Sequence, residues 1–346
     1  MYNCHRVEGR PLPAWKKGLV ISLALSIAAT LFVFFNYFEE ETLLSLLQFR
    51  VSFLFLAFLM TLFLWVIEGL RIKLLVAVLG NEKKIGLVEA IRVYLATFFF
   101  AAVTPFAAGE WPAHIVALHR LGLSVGEASA VTIARAFFTK IIFTIIAFVF
   151  LLLYSDQAIP AFLNKAFLSA VYITFFLSML FFLLLWRPAL LEWLLQKCRS
   201  ISPLNSFLTK SDRGKRFLFF LKNEFEKFAL TARGLNRWKT GMLLTIIFLT
   251  IFYWICFFSI APLLLAGLNR HIPYLKSLSW QFIIQLVLPY IPIPGGSGVV
   301  ELSLAGLIKY FVPSSVLGLF IVAWRFFTYY FLLAFGGLAA LGSLKL

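Results

Sequence analysis

The sequence predicts an all-α polytopic membrane protein with two units of inverted topology, each containing a re-entrant helical hairpin. Three observations predict it. Of the 346 residues, 62% are apolar and only 13% are charged, against roughly 45–50% and 25% in a soluble domain. Apolar runs of about 20 residues recur, the length a helix needs to cross a hydrocarbon core of about 30 Å, and none alternates like a strand of an outer-membrane barrel. Finally, Pro/Gly clusters interrupt two of the apolar stretches. A soluble globule of this size could not cover such a chain with polar surface. A soluble enzyme, a disordered protein and a nucleic-acid-binding domain are therefore excluded, and no nucleic-acid partner is expected.

The elements follow in order. Arg6, Arg10, Lys16 and Lys17 precede an apolar run, 18–38. That run is longer than a signal-peptide core and no small-residue cleavage site follows it, so it reads as a retained first span ending at Glu39-Glu40-Glu41. The second span is 51–79, with Glu68, Arg71 and Lys73 towards its end, before a short polar loop, 80–84. An apolar stretch, 87–103, stops at Thr104-Pro105 and resumes after Gly109-Glu110 as a half-polar helix to about Leu121. Spans 127–153 and 164–186 follow, joined by a loop with Asp156 and no basic residue. A basic loop leads to span 241–265. The stretch 276–291 then stops at a tip containing Pro294-Gly295-Gly296-Ser297-Gly298, a helix occupies 299–311, and the last span is 316–344. The whole chain reads as a single integral membrane domain: unit one over 51–153, a cytoplasmic basic loop over 187–240, and unit two over 241–344.

Irregular backbone at membrane depth survives only when buried in protein or lining a wet cavity. The arm 276–291 has 16 residues, or about 24 Å of helix. The arm 299–311 has 13, or about 20 Å. Both fall short of the hydrocarbon core, so each break reads as the tip of a hairpin that enters and leaves by one face. The two units share a pattern. Pro105, Gly109 and Glu110 precede Arg135 by a span, and Pro294, Gly298 and Glu301 precede Arg325 in the same way. With the basic N-terminus placed in the cytoplasm, hairpin one enters from the cytoplasm and hairpin two from outside. Both termini are then cytoplasmic, in a cell (inner) membrane. Arg270 and Lys276 on the outer side are the one mild conflict. Inverted repeats of this kind build transporters with sites at mid-depth.

Half of the net charge of +16 lies between Arg187 and Lys239, where twelve Lys/Arg face four acids. Basic loops beside spans mark the cytoplasmic side and attract anionic headgroups; here the loop is either a topology signal alone or a lipid contact as well. Three cysteines, Cys4, Cys198 and Cys256, suggest no disulfide framework.

Ionised side chains inside a bilayer are costly and find a carboxylate or a hydrated cavity. Arg135 and Arg325 lie about 12 and 13 Å into their spans at 1.5 Å per residue, and Glu110 and Glu301 are their nearest candidates. The pairs either brace each hairpin or line a cavity for an anionic headgroup. Gly295, Gly296 and Gly298 allow positive φ and close approach of a ligand, and they open into a helix N-terminus where a phosphate could rest; a plain tight turn is the alternative. Glu68 and Arg71 at i, i+3 read as a pair within one helix near the interface. Lys140, five residues after Arg135, points away from it and offers a second cavity contact. Gln281 and Gln285 at i, i+4 line the same cavity or tie the hairpin arms together.

Catalytic readings have little to stand on. The four histidines (5, 114, 119 and 271) include no HExxH, and no P-loop or GxSxG is present. His114 and His119, five apart, read as interfacial polar residues rather than metal ligands. No metal, cofactor or enzymatic activity is expected.

These motifs carry a resemblance. Thr104-Pro105…Gly109-Glu110, the following Arg135, Pro294-Gly295-Gly296-Ser297-Gly298-Val299-Val300-Glu301 with Arg325 downstream, and Glu68 with Arg71 resemble the lysylphosphatidylglycerol synthetase transmembrane family, also called the flippase-like domain family, over nearly the whole chain. In its bifunctional members this region is similar to one that moves an aminoacylated phospholipid between leaflets, ahead of an aminoacyl-transferase domain. The present 346 residues contain only the membrane part, so the synthetase activity is expected to be absent. Stand-alone members are implied to handle various lipids, including glycolipids, polyprenyl-linked lipids and hopanoid-type lipids. The resemblance implies a flippase for an anionic or zwitterionic lipid headgroup. A membrane-embedded lipid-modifying transferase with Glu301 as base, and a non-transporting partner subunit of a lipid synthase, stand as alternatives. A homo-oligomer or a lipid-synthesis enzyme are candidate protein partners.

Overall fold

A computed structural model describes residues 14–79, 84–153, 161–187, 212–233 and 240–344. The N-terminal basic residues Arg6 and Arg10, Cys4, the loops 80–83 and 154–160, most of the basic stretch (188–211 with Cys198, and 234–239) and Lys345 lie outside the described residues. Within them every regular element is a helix.

Among the described residues, six helical stretches are long and apolar enough to cross a membrane. α1 (Ala14–Asn36) is followed by the short α2 (Glu40–Leu47), and then α3 (Val51–Leu79) and α4 (Leu87–Val103). After a break come α5 (Glu110–Arg120), α6 (Val125–Leu153) and α7 (Ala161–Trp186). α8 (Asp212–Arg233), α9 (Thr240–Gly267) and α10 (Tyr274–Val287) lead to the second break, followed by α11 (Val299–Ile308), α12 (Ser314–Arg325) and α13 (Phe331–Leu344). The spans are apolar on all faces, as a bilayer requires: Phe32, Phe55, Leu152, Phe176 and Phe248 point outward and remain exposed. Because lipid is as apolar as leucine, packing between spans relies on close van der Waals fit and on polar contacts. The last span, 314–342, is the most buried of the six and forms the centre of the bundle. α13 lies along α4, and α9 along α3, so helices from the two halves of the chain interleave.

The structure corrects the sequence reading at three places. The acidic cluster after the first span starts a helix: Glu39 precedes α2, and its backbone N–H donates to Thr42 Oγ1 at 2.9 Å. The basic stretch is not wholly a loop, because α8 forms within it and packs on α6 and α7. The final span is not one continuous α-helix. A π-helical turn, Phe326–Tyr330, begins directly after Arg325 and separates α12 from α13. Such turns widen a helix locally and often mark functional positions.

Candidate functional site

Both breaks have the same backbone turn. Pro105–Ala107 and Pro294–Gly296 each form one turn of 3-10 helix. Phe106 and Ala107 take φ of 56° and 52°, and Gly295 and Gly296 take 62° and 60°. Glycine adopts these angles freely, whereas side chains in the left-handed region cost about 1–2 kcal/mol each. The first tip bears that strain and is held by Thr104, whose Oγ1 accepts the Gly109 N–H at 2.8 Å and donates to the Phe100 carbonyl at 2.7 Å. Strained residues that persist in this way cluster at functional sites. The tips also touch: the Phe106 N–H donates to the Ile291 carbonyl at 3.3 Å.

Two buried ion networks flank this contact. In the first, Glu68 of α3 accepts Arg71 Nη1 on Oε2 at 2.6 Å and Arg135 Nε on Oε1 at 2.7 Å. Arg135 Nη1 continues to Glu110 Oε1 at 2.9 Å, and Arg71 Nη2 reaches Thr139 Oγ1 at 3.2 Å. In the second, Glu301 Oε1 accepts Arg325 Nε at 2.8 Å and the Ser26 hydroxyl at 2.6 Å, while Oε2 accepts the Gly298 N–H at 2.8 Å. Arg325 also lies over the Tyr329 ring at 4.3 Å, with Nη2 3.4 Å from the Gly295 carbonyl. The pairing of Arg135 with Glu110 and of Arg325 with Glu301 is the one the spacing suggests. Glu301 does not oppose an anion at the second tip as a free charge, because its carboxylate is already neutralised.

A cavity of about 270 Å³ lies between the networks. Glu68, Arg71, Glu110, Arg135, Lys140, Gln281, Gln285, Gly295, Gly296 and Arg325 all line it, together with apolar walls that include Phe98, Trp254, Phe257 and Trp324. Glu301 and Gly298, also expected there, stand behind Arg325 and outside the lining. Two local readings change. Glu68 and Arg71 are not an isolated interfacial pair; both are almost fully buried and joined to Arg135. Lys140 lines the same cavity as Arg135. Gln281 ties its helix to α9, donating Nε2 to the Phe258 carbonyl at 2.7 Å, rather than to the other hairpin arm. His114 is wholly buried, with Nδ1 2.7 Å from Thr132 Oγ1.

Sequence reasoning missed Ser26, whose only signal is a hydroxyl in an apolar span. It also missed the Tyr94–Tyr253 hydroxyl pair, 3.0 Å apart in the cavity wall. Among the described residues no group of three or more His, Cys, Asp or Glu could hold a metal ion.

Comparison with known proteins agrees with this architecture. The family model described as the lysylphosphatidylglycerol synthase TM region matches residues 19–336. A UPF0104 membrane protein of Archaeoglobus fulgidus is 29% identical over 339 residues, covering 94% of this chain and 97% of the relative. No solved structure matches. With the match spanning both breaks and every ion pair around the cavity, the chain belongs to the lysylphosphatidylglycerol synthase transmembrane-region family.

Proposed function

We propose that this protein moves lipid headgroups between membrane leaflets. The observation that carries the reading is the polar cavity where the two break tips meet and where arginines from both halves of the chain converge. In this proposal the α4–α5 and α10–α11 pairs are re-entrant hairpins of two inverted units, one dipping from each leaflet. The shared tip conformation and the short arms support it. An anionic or zwitterionic headgroup, of a phospho- or glycolipid, enters the cavity while its acyl chains stay in the bilayer against the exposed phenylalanines. Arg135 and Arg325 face the headgroup. Glu110 and Glu301 hold them while the site is empty. The tips part on alternate sides, and the strained Phe106-Ala107 turn stores part of the free energy of that change.

Purified protein in proteoliposomes with fluorescent phosphatidylglycerol tests the reading. The wild type accelerates exchange of label between leaflets, and Arg135→Ala and Arg325→Ala each slow it at least about tenfold, equivalent to one charge-assisted contact of roughly 1.4 kcal/mol. If both variants fold and move the label at the wild-type rate, the reading fails.

A further inference from the structure

The charges around the cavity do not balance, and the excess resides on one side chain. Arg71, Arg135, Lys140 and Arg325 line it as cations. The carboxylates of Glu68, Glu110 and Glu301 are all engaged by the three arginines. Lys140 is left over. Glu110, on the same cavity, is bound through Oε1 to Arg135. Among the described residues Lys140 Nζ has no ion pair and no side-chain hydrogen bond; it stands 5.3 Å from the centre of the Tyr290 ring. That ring is fixed by its hydroxyl, 2.8 Å from Thr174 Oγ1.

Position makes this a demanding arrangement. Lys140 lies 15 residues after Val125 in the 29-residue α6, or about 22 Å along its axis. The ammonium cannot snorkel to either surface from mid-helix. One aromatic face does not satisfy its three donors. The cavity lining also holds buried polar atoms that make no hydrogen bond: Arg71 Nε, Gln281 Oε1, Trp254 Nε1, Trp324 Nε1 and Tyr329 Oη. A ligand that displaced a carboxylate from an arginine would leave that carboxylate buried without its partner, which is strongly unfavourable. A ligand that used Lys140 first breaks nothing.

We infer that Lys140 is the anchoring cation of this cavity, and that the group it takes is a phosphate bearing one negative charge, of the phosphodiester type. Such a ligand brings the site to neutrality. The inference rests on the lipid-transport reading only in taking that phosphate from a lipid headgroup; free inorganic phosphate offers the same chemistry. A choline headgroup is disfavoured because its ammonium adds a further cation beside those already present.

The test reads binding rather than translocation. Full-length protein in detergent is offered an equimolar mixture of phosphatidylglycerol and phosphatidylcholine, and retained lipid is counted by native mass spectrometry. The wild type retains phosphatidylglycerol about tenfold over phosphatidylcholine, Lys140→Gln loses that preference, and Lys140→Arg keeps it. Equal retention of the two lipids by the wild type overturns the inference without recourse to any variant. So does a folded Lys140→Gln protein that keeps the preference. Displacement of phosphatidylglycerol by millimolar inorganic phosphate overturns the lipid source, and resistance to it upholds that source. Preference without translocation sinks the transport reading and leaves the anion site standing; translocation without preference does the reverse.

Discussion

Glu68 on α3 binds Arg135 on α6 at 2.7 Å across 67 residues of sequence, and its second oxygen binds Arg71 at 2.6 Å. One buried carboxylate therefore neutralises parts of two guanidinium groups and joins two spans. Removing one partner of a buried pair costs about 3–5 kcal/mol, because the charge left behind is uncompensated. Glu68→Gln is expected to fall at the upper end, since it leaves two arginines short of charge. Glu110→Gln should cost far less, because Glu110 is 35% exposed and binds Arg135 alone. Thermal unfolding in detergent, followed by tryptophan fluorescence, should show a large drop for Glu68→Gln and a small one for Glu110→Gln. Equal drops would contradict the shared-carboxylate arrangement.

The second tip depends on glycine for a specific steric reason. At Gly295, φ is +62° and an added Cβ would lie 2.6 Å from the Tyr329 hydroxyl. Tyr329 is the ring beneath Arg325, so the new methyl group disturbs the second ion network as well as the backbone. Gly295→Ala is expected to destabilise the protein by about 1–2 kcal/mol from the backbone alone, and to slow lipid exchange. Gly306 in α11 has nothing within 4 Å of a built Cβ, so Gly306→Ala should be neutral or stabilising by about 0.5–1 kcal/mol. Unfolding midpoints and exchange rates of the two variants, measured side by side, check this contrast.

The sequence carried much of the fold because the bilayer imposes simple rules. Span length follows from hydrocarbon thickness, and the six candidate spans among the described residues coincide with apolar runs. The tips were legible because Pro and Gly have few reasons to interrupt an apolar stretch. Arg135 and Arg325 stood out because a guanidinium within a span demands a partner, and the Glu-to-Arg spacing pointed to one. Illegible were contacts set by tertiary packing. Nothing local distinguishes Ser26 from any other span hydroxyl, and nothing in Glu68-Gly69-Leu70-Arg71 reveals a second arginine from α6. The π-helical turn after Arg325 has no composition signal.

Ser26 gives α1 a role in the site. Its hydroxyl donates to Glu301 Oε1 at 2.6 Å and lies 2.9 Å from the Tyr330 hydroxyl in the π-helical turn. Glu301 is fully buried and accepts three hydrogen bonds from three parts of the chain. A hydrogen bond to a charged group contributes about 1.5–3 kcal/mol. Ser26→Ala should therefore destabilise by that order, whereas Ser26→Thr should retain the bond if its methyl group is accommodated. If Ser26→Ala leaves the unfolding midpoint unchanged, α1 does not brace the second network.

Glu224 links the amphipathic α8 to the start of α6, the helix that carries Arg135 and Lys140. Its Oε2 accepts the Gly126 N–H at 2.7 Å and its Oε1 accepts Lys227 Nζ at 2.8 Å. Gly126 admits this approach because a Cβ there would collide with the Glu224 backbone. Burial alone would raise the carboxyl's pKa, but the bonds from Lys227 and the Gly126 backbone outweigh it and hold it below its ordinary value of 4.5. A carboxylate with a depressed folded pKa contributes stability above its unfolded pKa, and that contribution is lost as pH falls through the folded value. Glu224→Gln should thus weaken hydrogen-exchange protection at the α6 N-terminus at neutral pH. The gap between variant and wild type should close as the buffer is acidified through the carboxylate range. A gap that persists at low pH, where both side chains are uncharged, would assign the contact to packing rather than to charge.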